Sequence, residues 1–106
     1  MSTISSNIND GRQYLRFPSA LDLRAAKPLK AALTEALARS LPVTLDASSV
    51  DRISTACVQI LIGFVAAART GSLAVTFHRP SPPFLSAFEK LGLAAVVGDW
   101  NWERGA

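Results

Sequence analysis

The stretch DASSVDRIST, Asp46 to Thr55, gathers the hydroxyls of Ser48, Ser49, Ser54 and Thr55 between two carboxylates, Asp46 and Asp51, just ahead of a long apolar segment. A hydroxyl at a helix start has two chemical uses. It can serve as a nucleophile, which needs a base beside it and donors for the developing charge. It can also accept a phosphoryl group, which the unpaired N–H groups and positive dipole end of a helix favour. The sequence offers no convincing base: the one histidine, His78, sits at the end of a strand beside Arg79 and Pro80. Neither a GxxxxGK[ST] loop nor a GxGxxG turn is present, so nucleotide binding by those means is not indicated. Cys57 falls near the start of the same helix but on its core side, as a small packed residue rather than a reactive thiol. These residues predict no catalytic group, no metal site and no cofactor.

The elements that must position this loop follow from periodicity. RQYLRF, Arg12 to Phe17, alternates polar and apolar as a strand exposed on one face does. Residues 1–10 are rich in Ser, Asn and Thr, without apolar period, and read as a mobile tail ahead of a single domain over residues 11–106. From Leu23 onward Leu29, Leu33, Ala36 and Leu37 recur at helical spacing, with Pro28 in the first turn. PVTLD, Pro42 to Asp46, is a short buried strand. The connection Ala47 to Ser54 is longer than the roughly two to six residues common between strand and helix. It lies at the carboxyl edge of the sheet, where α/β proteins place their sites.

A helix from about Thr55 to Thr70 follows, with Gly71 as its C-terminal cap. Projected at about 100° per residue, it turns Cys57, Ile60, Leu61, Phe64, Val65 and Ala68 inward. Thr55, Gln59, Gly63, Ala66, Arg69 and Thr70 face outward, with Val58 and Ile62 at the edge. SLAVTF, Ser72 to Phe77, is a strand; Ser81 caps a helix with Pro82 at its first position and Gly92 as its stop. LAAVV, Leu93 to Val97, reads as a last strand. Trp100 and Trp102 either fold back as a clamp or lie at a contact between copies.

With 49% apolar and 18% charged residues among 106, the chain can build a core without metal or disulfide. One cysteine excludes an intrachain disulfide and fits a reducing, cytoplasmic compartment. No apolar run approaches the roughly 20 residues that cross a bilayer, so direct membrane insertion is not expected. The net charge of +3 comes from Lys and Arg spread along the chain, which argues against nucleic acid as a partner. Strands alternating with helices imply an α/β domain.

Three pieces, in this order and spacing, resemble a STAS domain, the family of anti-sigma factor antagonists and of related domains in sulfate transporters and phospholipid-trafficking systems. FPSALDLRAAKPLKAAL is similar to the family's G-x-L-D and first helix, LPVTLDASSVDRIST to its central strand and loop, and SPPFLSAFEKLGL to its penultimate helix and following turn. The resemblance covers roughly Arg12 to Val97. It implies an α/β fold with a mixed, mostly parallel central sheet of about four to five strands and three to four helices. In antagonists of the family the loop ends in D-S-S-G or D-T-A-G, and the Ser or Thr after the aspartate is phosphorylated. That motif falls on Ser54-Thr55-Ala56-Cys57, with Ser54 in place of the aspartate and Cys57 in place of the glycine. Thr55 matches the phosphorylated position, with Ser54 as the second candidate, and Asp46 matches the other acidic residue commonly present.

The resemblance implies a non-enzymatic regulatory module of the anti-sigma antagonist type. Its partner would be a histidine-kinase-type ATPase, either an anti-sigma kinase or a chemotaxis component. Val58, Gln59, Ile62, Gly63 and Ala66 would form the docking face, and Asp46, Ser48, Ser49, Asp51 and Ser54 the switch loop beside Thr55. A STAS subunit of a phospholipid-trafficking ABC assembly, bound to its ATPase or permease, is the alternative. A small-ligand binder or enzyme using the Asp46 to Thr55 loop is the third reading. Self-association into a homodimer stays open.

Overall fold

The computed structural model describes residues 4–103. Its sheet has five strands in the order β1 (Ser5–Asn9), β2 (Arg12–Arg16), β4 (Val43–Asp46), β6 (Val75–His78) and β7 (Trp102–Glu103). The first pair is antiparallel and the other three are parallel. A two-stranded parallel ladder, β3 (Ala20–Leu21) with β5 (Arg52–Ile53), stands apart from it. The helices are α1 (Ala26–Arg39), α2 (Thr55–Thr70), α3 (Pro82–Lys90) and α4 (Ala94–Gly98), with a 3₁₀ turn at Leu23–Ala25 leading into α1. This is the mixed, mostly parallel α/β architecture expected.

Period-two alternation sorts the sheet into two unlike faces. Leu15, Phe17, Val43, Leu45 and Phe77 are all at most 1% exposed and belong with the helices to one core, and Gln13 is buried on the same side. Their neighbours Arg12, Tyr14, Arg16, Thr44, Asp46, Thr76 and His78 line a depression on the other face, over which no helix lies among the described residues. Among the described residues Gln13 is the one polar residue with no exposed surface. Its amide donates to the carbonyls of Ala36 and Leu41, at 2.9 and 3.0 Å, and its oxygen accepts from Arg39. Burying that amide satisfied ties the end of α1 to β2 instead of costing stability.

Ser5–Asn9, read from sequence as tail, pairs along its whole length with β2. The turn between them is Asp10-Gly11, with φ of 52° and 71°, the two positive values of a tight hairpin turn that Asp-Gly favours. All five side chains of β1 are exposed, so backbone pairing makes the strand and leaves no apolar period to read. Met1 to Thr3 lie outside the described residues. The second correction is Leu93 to Val97: the segment from Ala94 is a helix, with only Val97 buried. Helix α2 ends as expected at Thr70 with Gly71 as its cap, its N–H donating to the Ala67 and Arg69 carbonyls; the left-handed residue, φ 57°, is Ser72, one position on.

Trp100 and Trp102 fold back. Trp100 stacks on Phe77 with ring centroids 4.7 Å apart and planes inclined by 13°, and Trp102 lies 4.8 Å from the same ring. The Trp102 indole N–H donates to the Val97 carbonyl at 2.8 Å, so its polar edge is satisfied inside the apolar cluster.

Candidate functional site

The loop from Asp46 to Thr55 is held by its own backbone. The Asp51 and Arg52 N–H groups both donate to Ser19 C=O, at 2.7 and 3.2 Å, and the Ser54 N–H donates to Leu21 C=O at 2.8 Å. Val50 is buried, and its carbonyl accepts from the Ser81 hydroxyl, which also caps α3 by accepting from the Phe84 N–H. A connection of this length keeps one shape because β3, β5 and the start of α3 clamp it.

That shape divides the candidate switch residues into two groups. Asp46, Ser48 and Ser49 stay with the sheet: the Asp46 carboxylate accepts from the Ser48 N–H at 2.9 Å and hydroxyl at 2.6 Å, and the Ser49 hydroxyl accepts from Arg16 at 3.3 Å. Asp51 instead lines a depression of about 350 Å³ with Arg52, Thr55, Ser86, Lys90 and Leu91. Asp46 is therefore not brought into the Thr55 depression, and the immediate charged company of Thr55 is one acid and two bases. The intervening Val50 is buried and turns the chain over, so nearness in sequence does not become nearness around one group.

Ser54 and Thr55 have separate duties. Ser54 has extended backbone and its Oγ accepts from the Cys57 N–H at 3.3 Å, the geometry of an N-cap. Its hydroxyl is thereby engaged. Thr55 is the first residue of α2 and is exposed at the rim of the depression. Cys57 is fully buried, and its Sγ lies 3.5 Å from the Asp22 carbonyl. Burial pushes the thiol above its ordinary pKa; the Ser54 hydrogen bond lowers it, and the Asp22 charge raises it further. A protonated, inaccessible thiol is a core residue.

The outward face of α2 is narrower than helical projection predicts. Val58, assigned to docking, is 0% exposed and belongs to the core. The helix packs against α1, α3 and the 3₁₀ turn as well as the sheet side, which closes the edge position that Val58 occupies. Ile62 is half-buried against the core. Gln59, Gly63 and Ala66 remain exposed. Gln59 and Gly63 line a groove of about 510 Å³ between α1 and α2, with Lys30, Thr34, Leu37 and Ala56. A Cβ on Gly63 would meet nothing within 4 Å, so nothing inside the fold requires glycine there.

Sequence periodicity missed Leu23. It begins the apolar repeat of the first helical segment, yet is 73% exposed on the 3₁₀ turn that packs beside α2. Asp22 before it accepts from the N–H groups of Arg24 and Ala25, fixing that turn and leaving the leucine outward. The Asp-Leu-Arg order after an extended pair was the available signal, since a capping aspartate starts the helical register after Leu23.

A mixed, mostly parallel sheet backed by helices on one face is the fold of a known family. The family model described as Mlab, STAS domain, matches residues 4–98. The chain belongs to the STAS family. Among solved structures the domain is similar to the anti-sigma factor antagonist SpoIIAA in its unphosphorylated form, with a TM-score of 0.74 and 14% identity over 98% of this chain and 89% of that one. An anti-sigma factor antagonist from Mycobacterium paratuberculosis gives 0.73 and 19% over 99% and 87%. A serine-to-glutamate variant of RsbS from Moorella thermoacetica gives 0.78 and 13% over 97% and 87%. At these identities the likeness is one of fold. No curated protein matches the sequence. Among the described residues of this STAS domain no helix is long and apolar enough to cross a membrane, and no group of three or more His, Cys, Asp or Glu is placed to hold a metal ion.

Proposed function

We propose that this STAS domain is a regulatory protein-binding module of the anti-sigma antagonist type. In this reading it docks a kinase-type ATPase through Leu23 and the exposed face of α2, under the control of a phosphoryl group on Thr55. The observation that carries the reading is the division of labour at the helix start: Ser54 is spent as the cap, while the adjacent Thr55 hydroxyl is exposed. From Thr55 the exposed and uncharged residues Gln59, Gly63 and Ala66 run along the helix as far as Arg69, an uncharged stretch such as the centres of protein interfaces tend to have. A phosphoryl group there adds about −1.5 to −2 charge at pH 7 to the end of that face, and its volume and desolvation cost oppose a docked partner.

The test is affinity capture with the whole chain, phosphosite mass spectrometry, and repetition with two variants. Thr55→Glu is expected to lower capture by at least about tenfold, and Thr55→Ala to leave it within about threefold. Unchanged capture by both variants would overturn phosphoryl control at this position.

The Mlab description of the matching family model favours a second reading, a STAS subunit of a phospholipid-trafficking ABC assembly in which the same helix braces an ATPase. Co-purification with a permease and its ATPase, insensitive to Thr55→Glu, selects this reading. Capture of a soluble kinase selects the first.

A further inference from the structure

The uncovered face of the sheet carries a depression of about 560 Å³, larger than the one at Thr55 and separate from the α1/α2 groove. Strand register arranges its lining in rows. Arg16, Asp46 and His78 are in line across β2, β4 and β6, and Tyr14, Thr44 and Thr76 form the next row. Arg12 closes the far end. Its guanidinium is folded over the sheet, donating to the Thr44 hydroxyl at 3.3 Å, and is not extended into solvent.

The lining is unlike the chain's other surfaces. Neither Arg12 nor Arg16 makes a salt bridge to a carboxylate among the described residues, although Arg16 and Asp46 are paired in register. Asp46 is occupied by Ser48 and lies at the Arg16 end. Arg12 and Arg16 are four residues apart on one strand, about 13 Å at the usual rise. Between them stand the exposed Tyr14 hydroxyl, the Thr76 hydroxyl, which accepts from Asn101 at 3.4 Å, and the Thr44 hydroxyl, which is 7% exposed and holds Arg12 in place. This sequence of a cation, several neutral donors and acceptors, and then a carboxylate matches a molecule with an anionic end and a hydroxylated body. Guanidinium groups bind phosphate with charge-assisted, bidentate hydrogen bonds, while carboxylate, hydroxyl and phenol groups bind sugar hydroxyls.

We propose that this face binds a small phosphorylated polyol or sugar phosphate, its phosphate on Arg12, which Thr44 holds in place, and its hydroxyls toward Tyr14, Thr76 and Asp46. The phosphate is directed to Arg12 because the Asp46 carboxylate repels it from the Arg16 end. The face is a second site, independent of Thr55 and of the partner docked on α2. Occupancy gives the module a metabolite input on the side of the sheet away from its helices.

The test is a titration of the whole chain, followed by amide chemical shifts, with D-glucose 6-phosphate, glucose and inorganic phosphate as probes. Glucose 6-phosphate is expected to move amides of residues 12–16, 43–46 and 75–78 and to saturate below about 10 mM. Glucose should leave them in place, and inorganic phosphate should bind at least about tenfold more weakly, because it lacks the hydroxyl contacts. Arg12→Gln is expected to weaken glucose 6-phosphate by about tenfold or more, with undisturbed spectral dispersion as the check on folding. Arg24→Gln, which removes an equal charge from a side chain 92% exposed and outside the depression, should change it less than about twofold. Equal affinity for inorganic phosphate, equal loss from Arg24→Gln, shifts centred on Thr55, or no saturation by about 50 mM would each overturn the proposal.

Discussion

The two faces of the sheet use the same strands for opposite ends. On the helical side Leu15, Leu45 and Phe77 meet α1, α2 and α3 in a core that leaves them 1% exposed or less. One residue along each strand, Arg16, Asp46 and His78 stand in a row that lines the depression on the other face. Alternation thus keeps a polar open face and the core within one residue of each other without mixing them. The largest test of that separation is Phe77→Ala against Thr76→Val. Removing Phe77, which touches Trp100, Trp102 and Phe84, should cost about 3–5 kcal/mol in urea unfolding. Thr76→Val, its neighbour on the other face, should stay within about 0.5 kcal/mol. Comparable losses would mean that the open face contributes to the core.

The helical side was also the legible side, for a physical reason. An apolar stripe in sequence records burial, and α2 and the Ser81-Pro82 start of α3 have the bounds their spacing and caps imply. Where backbone pairing or tertiary packing decides, side-chain pattern is silent. Strand β1 is polar and wholly exposed, with Asp10-Gly11 as its only local signal. Residues 94–98 are apolar enough for a strand, but α4 packs against α3 and buries only Val97. Val58 sat at the edge of the projected stripe and became core because α2 has neighbours on both flanks. In the loop, the β3–β5 pairing separates Asp46 from Thr55, a consequence of contacts about thirty residues apart in sequence that no local pattern contains.

A double dissociation sharpens the comparison at the level of binding. Leu23→Asp places a charge on an exposed apolar residue beside α2 and should reduce partner capture by about tenfold or more, as loss of an interface anchor does. It should leave the glucose 6-phosphate shifts unchanged. Arg12→Gln should do the reverse. If either substitution abolishes both, the two faces are coupled, and a single docking surface wrapping the sheet edge would replace two sites.

A smaller effect separates the two hydroxyls at the start of α2. Ser54→Ala removes the acceptor for the Cys57 N–H, in a position otherwise closed by burial, and should cost about 1 kcal/mol. Thr55→Ala should be within a few tenths, since no hydrogen bond of the fold depends on its exposed hydroxyl among those the structure shows and alanine has the higher helix propensity. Thermal unfolding of the pair measures both. Equal costs would show that Thr55 shares the capping role, and the case for a hydroxyl left over for modification would lose its structural basis.

The finest distinction is at Gly63. A glycine inside an exposed helical face costs about 0.5–1 kcal/mol relative to alanine. A Cβ there meets nothing within 4 Å, so Gly63→Ala should raise stability by that amount with no packing penalty to offset it. The same methyl group projects into the groove between α1 and α2, where a partner's side chain or backbone would approach. A variant that is more stable but captures partner less well places the docking surface over this groove. A variant that gains stability and keeps full capture moves the contact away from Gly63 toward Leu23 and the start of α2, where the exposed apolar residue and the threonine hydroxyl already lie.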